Sequence, residues 1–238
     1  MKLSTLPNVS TANASGSTLA SQAYELIKRD LFEFRMLPGD EFTENDLVAR
    51  LGVSRTPVRQ ALYRLEREGF VLLRQRSGWR VPPFDFERFE ALYDVRIVLE
   101  QAAVIRLCSQ QDVINNDQLS ALKHFWVVSP DERLRSGNEM MEQDEAFHRS
   151  LVVAAGNPEL AKIHRDVTDK TRIIRQLDFM TGHHIDATYV EHSAILHAIF
   201  ARRTDEAARM LKSHIEVSKA EVRKITLHRL QTARQALT

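Results

Sequence analysis

Leu51-Gly52-Val53-Ser54-Arg55-Thr56-Pro57-Val58-Arg59-Gln60-Ala61-Leu62 is the stretch that decides the fold. Gly52 breaks a preceding helix, and Val53 anchors the turn. Ser54 stands where a helix cap belongs, and Pro57 lies in the first turns, where its missing N–H costs little. Val58, Ala61, Leu62 and Leu65 recur at helical spacing and form one apolar stripe. At 100° per residue, Thr56, Arg59, Tyr63 and Arg67 fall on the opposite side. The reading is a helix anchored by one face that offers guanidinium groups on the other.

Upstream, Leu19 to Phe34 carries Ala23, Leu26, Ile27, Leu31 and Phe34 on one side, which predicts a helix. Leu37-Pro38-Gly39-Asp40 turns the chain. Thr43-Glu44-Asn45-Asp46 has the spacing of a capping box, with Asp where Glu or Gln is usual, and predicts a short helix to Arg50 or Leu51. Downstream, Gly69 is placed to end the central helix. Phe70–Leu73 and Trp79–Val81 read as two short strands, with Arg74, Gln75, Arg76, Ser77 and Gly78 at a basic tip between them. Helix, turn, helix and hairpin is the order of a winged helix-turn-helix, expected over residues 19–83. Residues 1–18 read as a flexible arm.

Pro82-Pro83 marks the boundary. Residues 84–230 read as an all-helical antiparallel bundle, with helices over 85–109, 115–128, 131–155, 158–180, 185–203 and 204–228. The whole chain is therefore expected to be mainly α.

Charge separates the two parts. Residues 1–83 hold twelve Lys/Arg against nine Asp/Glu, and the remainder holds 21 against 23. Between Arg50 and Arg80 there are eight arginines and only Glu66 and Glu68 as acids, a surplus suited to a polyanion. In a helix-turn-helix, the start of the second helix meets base edges in the major groove. Ser54, Arg55, Thr56 and Arg59 are therefore the candidate DNA contacts, with Gln75 and Arg76 from the hairpin tip. An arginine bonds guanine O6 and N7 as a pair. The competing reading pairs these arginines with nearby acids.

The single cysteine, Cys108, forms no internal disulfide, which fits a reducing, cytoplasmic setting. No apolar run reaches the roughly 18 residues of a membrane span, so no membrane partner is expected.

Three helices in the second part bring polar residues onto apolar faces. Asp144 and His148 lie at i and i+4 beside Phe147, Leu151 and Ala155. His192 joins Ile195, Leu196 and Ile199, and His214 joins Met210, Leu211, Ile215 and Ser218. Burying such groups without partners costs a few kcal/mol each, so about that much is recovered at each by a shared ion. One Asp and three His suit a divalent cation, Zn²⁺ first, with Ni²⁺, Mn²⁺ or Fe²⁺ as alternatives. His124, His183, His184 and His197 fall outside the pattern. His164 lies near an apolar stripe and takes no assignment. Arg96 sits amid Phe89, Leu92, Leu99 and Ala103 and needs an anion. It has two readings: an i,i+4 pair with Glu100, or a clamp for a small carboxylate.

These residues carry a resemblance. Leu37-Pro38-Gly39, Thr43 to Leu47, Leu51 to Leu62 and Leu65 to Phe70 resemble the DNA-binding domain of GntR-family bacterial regulators. Asp94-Val95-Arg96 to Leu99-Glu100, Asp144-x-x-Phe147-His148, Ala155 to Pro158, Glu191-His192 and Ser213-His214-Ile215 resemble the FCD sensor domain of the FadR-type branch. The resemblance implies a sequence-specific homodimer on a near-palindromic operator. Its affinity would be set by a small organic acid bound near a metal held by Asp144, His148, His192 and His214. Many members carry arginine where this chain has Asn45, which implies a different operator. The alternatives are a metal-dependent hydrolase built on the Asp/His₃ site, a direct metal sensor, and a nonspecific architectural DNA binder.

Overall fold

A computed structural model describes residues 18–74, 78–111, 113, 116–179 and 185–222. The chain divides into two compact units between Phe84 and Asp85.

In the first unit, α1 (Leu19–Phe32) starts at Thr18, whose hydroxyl accepts from the Ser21 N–H at 3.1 Å. The helix ends two residues before the expected Phe34, because Phe34 takes a left-handed φ of 55°. Strand β1 (Glu41–Phe42) was not foreseen: two residues are too few to show alternation. α2 (Glu44–Leu51) opens with the expected capping box between Thr43 and Asp46 and ends at Gly52. α3 (Arg55–Glu68) ends at Gly69.

Strands β2 (Leu72–Arg74) and β3 (Gly78–Arg80) form the hairpin, displaced slightly from the expected spans. The sheet order is β1-β3-β2, with Phe42 opposite Trp79 on one side and Leu73 opposite Trp79 on the other. β3 is thus the central strand and Trp79 drives its side chain into the core. Ile27, Leu31, Leu47, Val58, Leu62, Leu65, Val71 and Trp79 share that core. Each apolar residue expected on the inner stripe of α3 is buried there. Asp30 is fully buried, and Arg35 and Arg50 neutralise it.

The second unit comprises α4 (Phe86–Ser109), α5 (Asp117–Trp126), α6 (Gly137–Ala154), α7 (Pro158–Phe179), α8 (Ile185–Phe200) and α9 (Thr204–Val222). α4 packs against α6, α7, α8 and α9. The short links after α6 and α8 turn the next helix back on its predecessor, as in an antiparallel bundle.

The helix foreseen from residue 131 begins at Gly137, and the one foreseen to residue 128 ends at Trp126. Pro130–Glu132 forms a 3-10 turn capped by Ser129. Arg133 and Arg135 then both reach Asp186, and the Leu134 N–H donates to the Tyr189 hydroxyl at 3.2 Å. These contacts with α8 occupy the segment in place of helical pairing. α8 stops at Phe200 rather than 203, because Arg202 takes a left-handed φ of 57°. The expected extension of α9 from 223 to 228, the arm at 1–17 and the tip residues Gln75 and Arg76 lie outside the described residues.

Candidate functional site

On α3, Ser54, Arg55, Thr56 and Arg59 are all exposed on one side. Ser54 occupies the N-cap position, but its hydroxyl makes no capping bond. That hydroxyl and the first backbone N–H groups of a helix are good partners for a phosphate. Arg59 is not free. Its Nε and Nη2 donate to the two oxygens of Glu44 at 2.9 and 2.8 Å, bridging α3 to α2. Hydrogen bonding from Arg59 holds the Glu44 carboxyl below the usual carboxylate range. Pairing with an acid was one of the two sequence readings for this residue, although Glu44 was not singled out. The pairing is side-on, so the Nη1 edge of the guanidinium is left for another acceptor. Arg74, on β2, pairs with Glu41 of β1.

In the second unit, Asp144, His148, His192 and His214 come together, all buried, with one ligand atom from each within 4.8 Å of the others. Asp144 Oδ1 stands 3.6 Å from His148 Nε2, 3.3 Å from His192 Nε2 and 3.8 Å from His214 Nε2. His214 Nε2 is 3.3 Å from His148 Nε2 and 3.2 Å from His192 Nε2. The far side of two rings explains the tautomers. His148 Nδ1 meets Glu100 Oε2 at 2.5 Å, and His214 Nδ1 meets Glu191 Oε2 at 2.5 Å. A carboxylate only accepts, so both Nδ1 atoms donate, which in the neutral ring leaves the Nε2 lone pair facing inward.

With both rings neutral in this tautomer, the two Nε2 atoms 3.3 Å apart need a proton or a metal cation between them. Ligands held about 2.0–2.2 Å from one ion stand at comparable separations. Histidine ligands braced by carboxylates at the remote nitrogen are the usual arrangement around such ions. The donor set therefore fits a divalent cation of borderline softness.

Burial would raise the Asp144 carboxyl, but the Arg175 guanidinium and the histidine hydrogen bonds hold it well below the usual range. Burial also pushes His148 and His192 below their ordinary value. Both shifts favour the ligating, unprotonated forms. In His214, hydrogen bonds to Asp144 and Glu191 outweigh burial and raise the value. The His192 ring is fixed by stacking: Phe147 lies parallel to it at 3.6 Å and Trp126 presents an edge at 4.2 Å.

Arg96 is 1% exposed and donates from Nε to Glu100 Oε1 at 2.6 Å, so the i,i+4 pairing is present. Its Nη2 is buried and has no hydrogen-bond partner among the described residues. Glu100 also accepts from His164 Nε2 at 3.0 Å, which gives His164 its place. Glu100 is thus a hub joining Arg96, His148 and His164. The sequence reading missed this role, as it missed Arg175, which pairs with Asp144. Glu100 was visible as the fourth residue after Arg96, whereas Arg175 lies 31 residues from Asp144 with no shared motif. Glu145 is occupied by Arg172. His124 and His197 are exposed, and His183 and His184 lie outside the described residues.

A winged helix with a cationic outer face, joined to a helical unit built around a buried Asp/His cluster, defines a DNA-binding transcriptional regulator. Residues 19–81 match the bacterial regulatory proteins of the gntR family, and residues 91–217 match the FCD domain. The chain belongs to the GntR family and carries an FCD domain. It is 31% identical over 185 residues to the Nta operon transcriptional regulator of Aminobacter aminovorans, covering 78% of this chain and 84% of that protein. It is 23% identical over 208 residues to the HTH-type transcriptional repressor RspR of Escherichia coli, covering 86% and 89%.

Among solved structures, a GntR regulator from Rhodococcus sp. RHA1 superposes with a TM-score of 0.68 at 21% identity, covering 87% of this chain and 98% of that one. McbR/YncC from E. coli gives 0.65 at 16% identity, covering 88% and 99%. These two share the fold. The families and relatives are transcriptional regulators rather than enzymes, which sets aside the hydrolase alternative. Among the described residues, no helix is long and apolar enough to cross a membrane.

Proposed function

We propose that the chain is a homodimeric, sequence-specific regulator acting in the cytoplasm, whose operator affinity is set by a small carboxylate bound beside a divalent metal. The observation that carries this reading is the convergence of three imidazole Nε2 atoms and one carboxylate oxygen, with two of the opposite nitrogens tied to Glu100 and Glu191. Asp144, His148, His192 and His214 hold the ion, and zinc suits the donor set best. When bound, the metal supplies a Lewis-acidic position for a carboxylate oxygen.

The buried, unpartnered Nη2 of Arg96 supports its role as the second anchor of that carboxylate. A cavity of about 50 Å³ reaches His214, lined by Thr188, Glu191, Val217 and Ser218, and gives small groups an approach. On the other unit, Ser54 and Thr56 bind phosphates or base edges, and Arg55 and Arg59 read bases. Gln75 and Arg76 at the hairpin tip complete the contact with the operator. An effector that favours one arrangement of the helices shifts operator affinity by its differential binding to the two states.

The test is calorimetric titration of small mono-, di- and tricarboxylates into metal-loaded protein, alongside Arg96→Ala and metal-free protein. The expected result is about one metal per chain by element analysis. At least one acid should bind the loaded protein, weaken at least tenfold in the variant and alter operator retardation. Retardation unaffected by every acid, with and without metal, would sink the effector reading.

A further inference from the structure

The inner sides of α4 bury Tyr93, Arg96, Ile97, Glu100, Ala103, Val104 and Leu107 against four other helices. Its outer side is unlike an ordinary solvated surface. Ala91, Val95, Val98, Ala102 and Ile105 are all exposed there, with Val95 at 42%, Val98 at 66% and Ile105 at 50%. The intervals alternate between four and three, so the five lie in one line along the helix. Single exposed apolar residues are normal. A line of five with no charge among them, about 21 Å long at 1.5 Å per residue, marks a contact surface.

The line is complementary to itself. Turned about Val98, Ala91 faces the partner's Ile105, Val95 faces the partner's Ala102, and Val98 faces the partner's Val98. Alanines then meet larger side chains on either side of a central Val98 pair, and each contact occurs twice, as an isologous two-fold contact requires. Charge selects the antiparallel sense. Glu87 and Glu90, against Arg88 alone, make the amino-terminal part acidic, Asp94 being paired with Lys219, whereas the exposed Arg106, whose Nε donates to the Ala155 carbonyl, lies near the other end. Parallel helices would set the acids against their own copies. Antiparallel helices bring them toward arginine and oppose the two macrodipoles.

We propose that two copies of this chain pair through α4, antiparallel and centred on Val98. This rests on the homodimer reading above and names its surface. A stable dimer buries about 800 Å² per partner, so the stripe is the centre of a wider contact that takes in the flanking Leu92 and Leu99, both half-buried. The opposite side of α4 carries Arg96 and Glu100, which reach the metal-holding histidines. The helix that senses the ligand is thereby the helix that touches the other copy.

The full chain is tested by sedimentation velocity together with thiol cross-linking. Val98→Cys should form a covalent dimer under mild oxidation. Ala91→Cys should not, because two copies of residue 91 stand about 21 Å apart along antiparallel helices. Wild type, whose Cys108 is buried, supplies the background. Val98→Glu, at an exposed position, should keep its helical circular dichroism and metal content but sediment as one chain. A dimeric wild type in which Val98→Cys links no faster than Ala91→Cys, and Val98→Glu stays dimeric, overturns this surface and leaves the homodimer standing. A monomeric wild type overturns both.

Discussion

Arg59 shows how a single exposed side chain is fixed by a neighbouring helix. Its guanidinium is held edge-on by Glu44, so two of its five N–H groups are taken and its plane is fixed. Glu44→Gln removes the charge that holds this plane while keeping the shape. Operator selectivity should fall while binding to unrelated duplexes strengthens, both read by gel-shift titration at fixed salt. Arg55→Ala should weaken operator binding about tenfold to a hundredfold with the fold unchanged. Unaltered affinity would remove Arg55 from the reading face. In the other unit, Glu100→Gln leaves the buried Arg96 without its counter-charge. Breaking a buried pair on one side costs about 3–5 kcal/mol, which thermal unfolding should register as a clear fall in Tm. The exposed placement of Arg55 and Arg59 was legible because an apolar stripe fixes what lies opposite it. The acids that serve them were not, because Glu44 and Arg59 meet across two helices.

At the scale of elements, the hairpin depends on a close approach. A Cβ added at Gly78 would lie 2.6 Å from the Phe42 carbonyl oxygen, and its φ of +91° is itself hostile to side chains. Gly78→Ala should therefore part β1 from β3 and unseat Trp79. The expected cost is about 1–3 kcal/mol, visible as earlier melting of the amino-terminal unit and weaker operator binding. Unchanged melting would show that the strand pair tolerates the methyl group. Elements with local signals were readable: α2 and α3 are bounded by Thr43, Gly52 and Gly69, whose chemistry is complete within a few residues. β1 was not, because two residues pair only through a strand about forty positions later. The start of α6 was misplaced for a similar reason, since Arg133 and Arg135 answer to Asp186 on α8 rather than to their neighbours.

Across the second unit, the buried Asp144, His148, His192 and His214 cluster ties α6, α8 and α9 together, and α4 joins through Glu100. An ion that binds only the folded form stabilises it by about 2.7 kcal/mol at a free concentration one hundred times its Kd. Chelation should lower Tm by about 5–10 °C for a unit of this size, and zinc should restore it. Asp144→Asn should show a low Tm that zinc no longer raises. The four residues of the cluster were recognisable from their helical faces. Their mutual distances were set by packing among helices far apart in the chain.

The chain contains two tryptophans. Trp79 lies in the core of the wing with its ring edge-on to Tyr63, and Trp126 lies against the His192 imidazole. Each unit therefore has its own built-in fluorophore. Replacing Trp79 by phenylalanine isolates the emission of the helical unit, and replacing Trp126 isolates that of the winged-helix unit. Occupancy at one end and its arrival at the other become separate optical signals, and stopped-flow mixing can time the interval between them.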